Sequence, residues 1–297
     1  MATSTASAGK LGASMASETD VGVLLAKTDR NAGVKGVTAF IVHPKKYPGW
    51  NAQPVPMLGL SKSMRTNVLF LDDFVVPVED HLGEEGEGFK IVIRALQPGR
   101  VTIAGNALGV ARACFEEAVR YANERELCGQ AIGRFQMIQS DIAEMATAIE
   151  NSRALVYKAA ICMDNGLPSN RIAAMAKYHA SQTAKMCADK AVHIFGGYGL
   201  AEEYPVSYYR AYSDMFFTGE GSANVQKIVI AEDALDYKIA ECHHGRRGLR
   251  EIRKDDVGAE LAKAWRRGAG TARALAAQSA CASASMNSRV RIIRTAS

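Results

Sequence analysis

Three stretches of helical apolar periodicity, about Val101 to Arg125, Arg134 to Asn165 and Ser169 to Phe195, dominate the middle of this 297-residue chain and constrain its fold more than any other feature. The second and third are separated only by Asp164-Asn165-Gly166-Leu167-Pro168, a string that cannot continue a helix. Two shorter helices are predicted on either side of Glu220. Long helices joined by short connections pack antiparallel, so an up-down four-helix bundle is expected over residues 86–240. Gly88, Pro98 and Gly99 are expected to interrupt the first helical segment.

Ahead of this region the pattern is short and strand-like. VGVLLAKTD from Val21, GVTAFIVHP from Gly36 and TNVLFLDDFVVP from Thr66 are separated by turn residues such as Asn31-Ala32-Gly33 and Pro48-Gly49. The expected fold class is therefore α+β, with a partial antiparallel β domain over 20–85 followed by the C-terminal helical bundle. Residues 1–19 are rich in Ala, Ser, Thr and Gly without periodicity and read as a disordered extension. Residues 241–297 form a basic tail of atypical composition, with a helix predicted near Val257 to Ala276.

Charge narrows the function classes. The net charge of +5 resides in the tail: residues 241–297 carry +7, and the first 240 carry about −2. Without interleaved aromatics or a recognisable motif, this basic segment reads as a solvated tail and not as a nucleic-acid interface. No apolar run is long enough to span a membrane, and the first 20 residues lack the apolar core of a secretory signal, so a cytoplasmic protein is expected. The six cysteines form no CxxC pair, which fits reduced thiols. Cys242-His243-His244 clusters ligand types, but three adjacent residues seldom converge on one ion, and no metal is expected.

The candidate for chemistry is Glu220 in Thr218-Gly219-Glu220-Gly221-Ser222. Its glycines disfavour helix, and Ser222 is placed to cap the apolar stretch from Val225 to Ile230. A carboxylate on such a segment, at a helix start, can be held against a ligand and have its acidity tuned by burial. By spacing alone the same string also describes a solvated loop glutamate.

The wider run resolves this differently. Gly196-Gly197-Tyr198-Gly199, Glu203-Tyr204-Pro205-Val206 and Glu220-Gly221-Ser222 together resemble the C-terminal signature of the acyl-CoA dehydrogenase family, and the resemblance extends over roughly Asp20 to Asp236. It implies an FAD-dependent oxidation of an acyl-CoA thioester to the enoyl-CoA, with a glutamate taking the α-proton while a hydride leaves for the flavin. By resemblance that base is Glu220. Some relatives carry the base at the position filled here by Gly99, which cannot abstract a proton. Gln97, Arg100 and Gly221 match positions that contact the acyl-CoA, although an acid is usual where Gln97 stands.

For FAD the resemblance implies Arg125, Gln136, the segment His193, Ile194, Phe195, Gly196 and Gly197, and after the base Ser222, Ala223 and Asn224. Departures include Cys128 for a usual phenylalanine, His193 for a glutamine, and Ala211-Tyr212-Ser213 where Arg-Asp-Ala is common. The resemblance further implies a homotetramer and an electron-transfer flavoprotein as acceptor. Family members begin with an all-helical domain and further strands that this sequence does not contain. The expectation that follows is a pocket short of one wall, and with it an alternative: a catalytically silent fragment that keeps only the bundle and its oligomer interface.

Overall fold

The computed structural model describes residues 11–14, 19–59, 66–236 and 290–293. Its α+β chain divides into two compact units, one formed by residues 1–57, 63–95 and 239–297 and the other by 58–62 and 96–238.

The first unit is built on small sheets. Strands β1 (Leu11–Ser14), β4 (Trp50–Val55) and β5 (Thr66–Leu71) pair antiparallel in the order β1-β5-β4, while β2 (Gly22–Lys27), β3 (Val37–Val42) and β7 (His81–Leu82) form a second sheet with β3 central. β6 (Phe74–Pro77) pairs with β10 (Val290–Ile293), and this pairing is parallel. In β2, β5 and β6 buried and half-buried residues alternate, as expected for strands with one covered face. Leu24, Phe40, Val42, Leu69, Leu71, Phe74 and Val76 make the core, with Trp50 and Tyr47 packed against Phe74.

Two of these strands correct the sequence reading. The segment 1–19, expected to be a disordered extension, contributes β1, whose backbone bonds to β5 and needs no side-chain periodicity of its own. The basic tail contributes β10 in the same way. The helix expected near Val257 to Ala276, and the Cys242-His243-His244 cluster, lie outside the described residues.

The second unit is helical. α1 (Gly88–Glu124) is one continuous helix containing Pro98, α2 spans Gln136–Asp164 and α3 spans Asn170–Phe195; α4 (Pro205–Ser213) and α5 (Ala223–Ala234) flank Glu220. Gly88, Pro98 and Gly99 therefore do not interrupt α1, contrary to expectation. Pro98 removes one backbone donor, yet burial of Ala104, Ala107, Ala111, Cys114 and Ala118 at 3-4-3-4 spacing holds the helix to the core beyond it. A two-stranded ribbon, β8 (Glu126–Leu127) with β9 (Gln130–Ala131), turns the chain from α1 into α2.

α3 packs against α2, α4 and α5. Its covered faces carry Ala173, Ala176, Ala180, Ala184, Cys187, Ala188 and Ala191, all fully buried, and these small side chains admit neighbours on several sides. Cys114, Cys128, Cys162 and Cys187 are free thiols. Among the described residues no helix is long and apolar enough to cross a membrane, and no group of three or more His, Cys, Asp or Glu is placed to hold a metal.

Candidate active site

Glu220 sits in the turn between the 3-10 helix Asp214–Phe217 and α5. Its φ is 53° and that of Gly221 is 93°, so two successive residues adopt the left-handed region. For a glutamate this backbone is costly, by about 1–3 kcal/mol, and persists only where the surroundings impose it. Two things fix the end of the turn. Ser222 caps α5 by accepting a hydrogen bond from the Val225 amide at 3.4 Å, as the sequence predicted. Gln226, fully buried, donates its Nε2 back to the carbonyls of Gly221 and Glu220, at 3.1 and 3.4 Å.

The side chain of Glu220 is only 8% exposed, and no hydrogen bond or ion pair to its carboxylate is found among the described residues. It lies against α1 at Gly99, where an added Cβ would come within 2.5 Å of Oε2 and 3.0 Å of Cδ. Only a residue without a side chain leaves this space. Glycine at 99, which the sequence marks as unable to serve as a base, is thus what lets the carboxylate of 220 occupy the same place.

Two cations share the site. Arg100, next along α1, is also 8% exposed; its Nη1 donates to Asn170 Oδ1 at 2.7 Å, and its buried Nε has no partner. Lys177, in α3, is fully buried and donates from Nζ to the Gly221 carbonyl at 2.6 Å. Burial raises the Glu220 carboxyl above the usual range, opposed by the charges of Lys177 and then Arg100. Burial also lowers Lys177 to about 8, with repulsion from Arg100 adding to it and attraction to Glu220 opposing it. Arg100 is lowered by burial and supported by Glu220. The result is a dry carboxylate, free of hydrogen bonds, with its acidity set by burial against two fixed positive charges.

Gln97, expected from the sequence at a ligand contact, donates its Nε2 to Ser169 Oγ at 2.6 Å, which ties α1 to the start of α3. Asn170 holds Arg100 at the same end. Lys177, Asn170 and Gln226 belong to the site without having been expected there from the sequence. A signal for Lys177 was present, because it follows Ala176 and falls in phase with Ala173 and Ala180 on a buried face where a solvated lysine has no place.

The flavin candidates fall into two groups. Ser222, Ala223 and Asn224 stand beside Glu220 at the N-terminus of α5, whose first amides have no partner within the helix. Arg125, Ile194, Phe195, Gly196 and Gly197 instead line a cavity of about 570 Å³ with Tyr121, Phe135 and Tyr198. Gly196 ends α3 with φ 61°, and an added Cβ at Gly196 or Gly197 meets nothing within 4 Å, so the backbone here is open to close approach. The Arg125 guanidinium lies over the Tyr198 ring, 5.7 Å from its centroid. Gln136 opens α2 next to Phe135. His193 departs from its neighbours in sequence: it lines a separate cavity of about 540 Å³ with Asp141, Lys185, Asp189, Lys190 and Phe217. An arginine and open glycine amides beside apolar and aromatic walls suit a ligand that combines a phosphate with flat rings.

Residues 86–235 match the family described as acyl-CoA dehydrogenase, C-terminal domain. The chain belongs to the acyl-CoA dehydrogenase family. It is 41% identical over 228 residues to the glutaryl-CoA dehydrogenase of Desulfococcus multivorans, covering 76% of this chain and 58% of that relative. It is 42% identical over 213 residues to the short-chain specific acyl-CoA dehydrogenase of Clostridium acetobutylicum, covering 71% of this chain and 56% of that one. Among solved structures, a glutaryl-coenzyme A dehydrogenase in complex with glutaryl-CoA superposes with a TM-score of 0.75 at 37% identity, over 80% of this chain and 62% of that one. The chain thus spans somewhat over half the length of the acyl-CoA dehydrogenases it matches.

Proposed function

We propose that this acyl-CoA dehydrogenase chain supports FAD-dependent α,β-dehydrogenation of an acyl-CoA thioester, with Glu220 as the base. The observation that carries this reading is the Glu220 carboxylate itself: buried, without hydrogen bonds, turned into the space over Gly99 and faced by Arg100 and Lys177. A carboxylate stabilised by many donors makes a poor base, whereas one raised by desolvation is matched to a weakly acidic α-proton. The two cations oppose the effect of burial and favour its ionised form. They also offset the negative charge that moves from the carboxylate toward the thioester oxygen as the proton transfers.

FAD, when bound, supplies the acceptor for the hydride that leaves the β-carbon. The residues fit such a cofactor in two places. Arg125, with its planar fork of donors, and the open amides of Gly196 and Gly197 suit the pyrophosphate, with Ile194, Phe195 and Phe135, the residue before Gln136, lining the same cavity; Ser222, Ala223 and Asn224 offer donors next to the base. Arg100 and Gly221 flank the position assigned to the thioester, and Gln97 supports Arg100 by joining α1 to the start of α3. An electron-transfer flavoprotein is the proposed acceptor, and a homotetramer the proposed assembly.

The test is the absorbance of the purified chain, with butyryl-CoA and glutaryl-CoA as probes. A yellow protein whose flavin band bleaches on addition of either thioester, with enoyl-CoA formed, supports the reading. A folded, colourless oligomer overturns it in favour of a silent scaffold.

A further inference from the structure

We propose that Lys177 is the positioning residue of the base: its ammonium holds the left-handed turn at Glu220-Gly221 and keeps the carboxylate aimed over Gly99. The inference rests on the reading of Glu220 as base, but its structural half stands on independent geometry. Between the 3-10 helix Asp214–Phe217 and α5, the carbonyls of Glu220 and Gly221 belong to no helix or strand. Both are supplied from outside the turn. Gly221 O accepts from Lys177 Nζ at 2.6 Å and from Gln226 Nε2 at 3.1 Å; Glu220 O accepts from Gln226 Nε2 at 3.4 Å. The short bond to Lys177 is charge-assisted and the others are not. It is also the one anchor that comes from α3, since Gln226 belongs to the helix that the turn itself begins.

Burial of a lysine requires compensation, and this one forms a single hydrogen bond among the described residues. Among the described residues, the charged groups that face it belong to the same site: Arg100 from α1 and Glu220 from the turn. Asn170 and Gln226 nearby are neutral. Here the same ammonium fixes the backbone on which the base is mounted and lowers the affinity of that base for its proton, against the effect of burial.

The test uses the full chain with Lys177→Met and, separately, Gln226→Met. Two readouts are taken: hydrogen exchange of the segment 218–226, and the pH profile of flavin reduction by butyryl-CoA. Lys177→Met is expected to raise exchange in that segment by about tenfold, the equivalent of one charge-assisted hydrogen bond. It is also expected to move the acid limb of the kcat profile upward by about one pH unit with KM little changed. Gln226→Met is expected to raise exchange without moving the limb, because it removes a donor and no charge. Exchange and limb both unchanged in Lys177→Met would overturn the proposal. Should that variant fail to fold by circular dichroism, Lys177→Gln replaces it, removing the charge and keeping a neutral donor. Exchange in the segment and the acid limb are then expected to rise as in Lys177→Met, and both unchanged overturns the assignment. A wild-type chain that does not reduce flavin overturns the reading of Glu220 as base, while the exchange measurement still decides whether Lys177 holds the turn.

Discussion

Gly99→Ala separates stability from chemistry, and the structure predicts that the two move in opposite directions. The new methyl carbon would lie 2.5 Å from Glu220 Oε2, where ordinary contact begins at 3.4 Å, so the carboxylate must retreat by about 1 Å. The obstructing atoms are the far end of a flexible side chain and not backbone, so the fold adjusts at little cost. Replacing glycine by alanine inside α1 contributes about 1 kcal/mol of helix propensity in favour of the variant. A base displaced by about 1 Å loses on the order of 100-fold in rate. Stopped-flow reduction of the bound flavin by butyryl-CoA, alongside thermal unfolding of the same samples, measures both. The reasoning predicts an unchanged or raised Tm with reduction slowed by roughly two orders of magnitude. A variant that reduces flavin at the wild-type rate refutes it, because the carboxylate would then not be working from the space over Gly99.

Lys177 gives a pH signature in stability. The unfolded chain holds this proton up to about 10.5 and the folded chain releases it at about 8, so between these values the unfolded state binds more protons and stability rises with pH. The gain is about 3 kcal/mol, measured as the difference between urea unfolding of wild type and Lys177→Met across that window; parallel curves would contradict it. Phe216, fully buried against Tyr212, is expected to cost about 3–5 kcal/mol on replacement by alanine, read from the shift in urea midpoint. Arg125→Ala is expected to weaken FAD binding by about tenfold or more in a fluorescence titration while leaving Tm unchanged, since the side chain is exposed; unaltered affinity would remove Arg125 from the cofactor site.

Much of this site was legible because its chemistry coincides with local sequence exceptions. Glycines around Glu220 signalled a turn, and Ser222 signalled the helix that follows, because capping is a local event. β2, β3, β5 and β6 were legible from their apolar pattern. β4, from Trp50 to Val55, was not, because it is mostly exposed, contains Pro54, and is a strand through its pairing with β5. β1 and β10 likewise owe their existence to partners. Pro98 and Gly99 read locally as a break, yet packing of the alanines beyond them overrides propensity and carries α1 through. Gln226 was invisible for another reason, since a glutamine in a helix reads as solvated until a neighbouring element closes over it, whereas Lys177 was betrayed only by its phase with the buried Ala173 and Ala180. His193, matched to a flavin position by resemblance, lines a different cavity from Ile194 and Phe195, because side chains a residue apart on a helix point to different faces.

The most direct measurement is flavin reduction in Glu220→Gln, which removes the base while preserving nearly all the volume over Gly99. The account predicts that the variant binds FAD and stays yellow when butyryl-CoA is added, under conditions in which the wild-type band bleaches. Bleaching of the variant at the wild-type rate would contradict it and place the proton abstraction on another group.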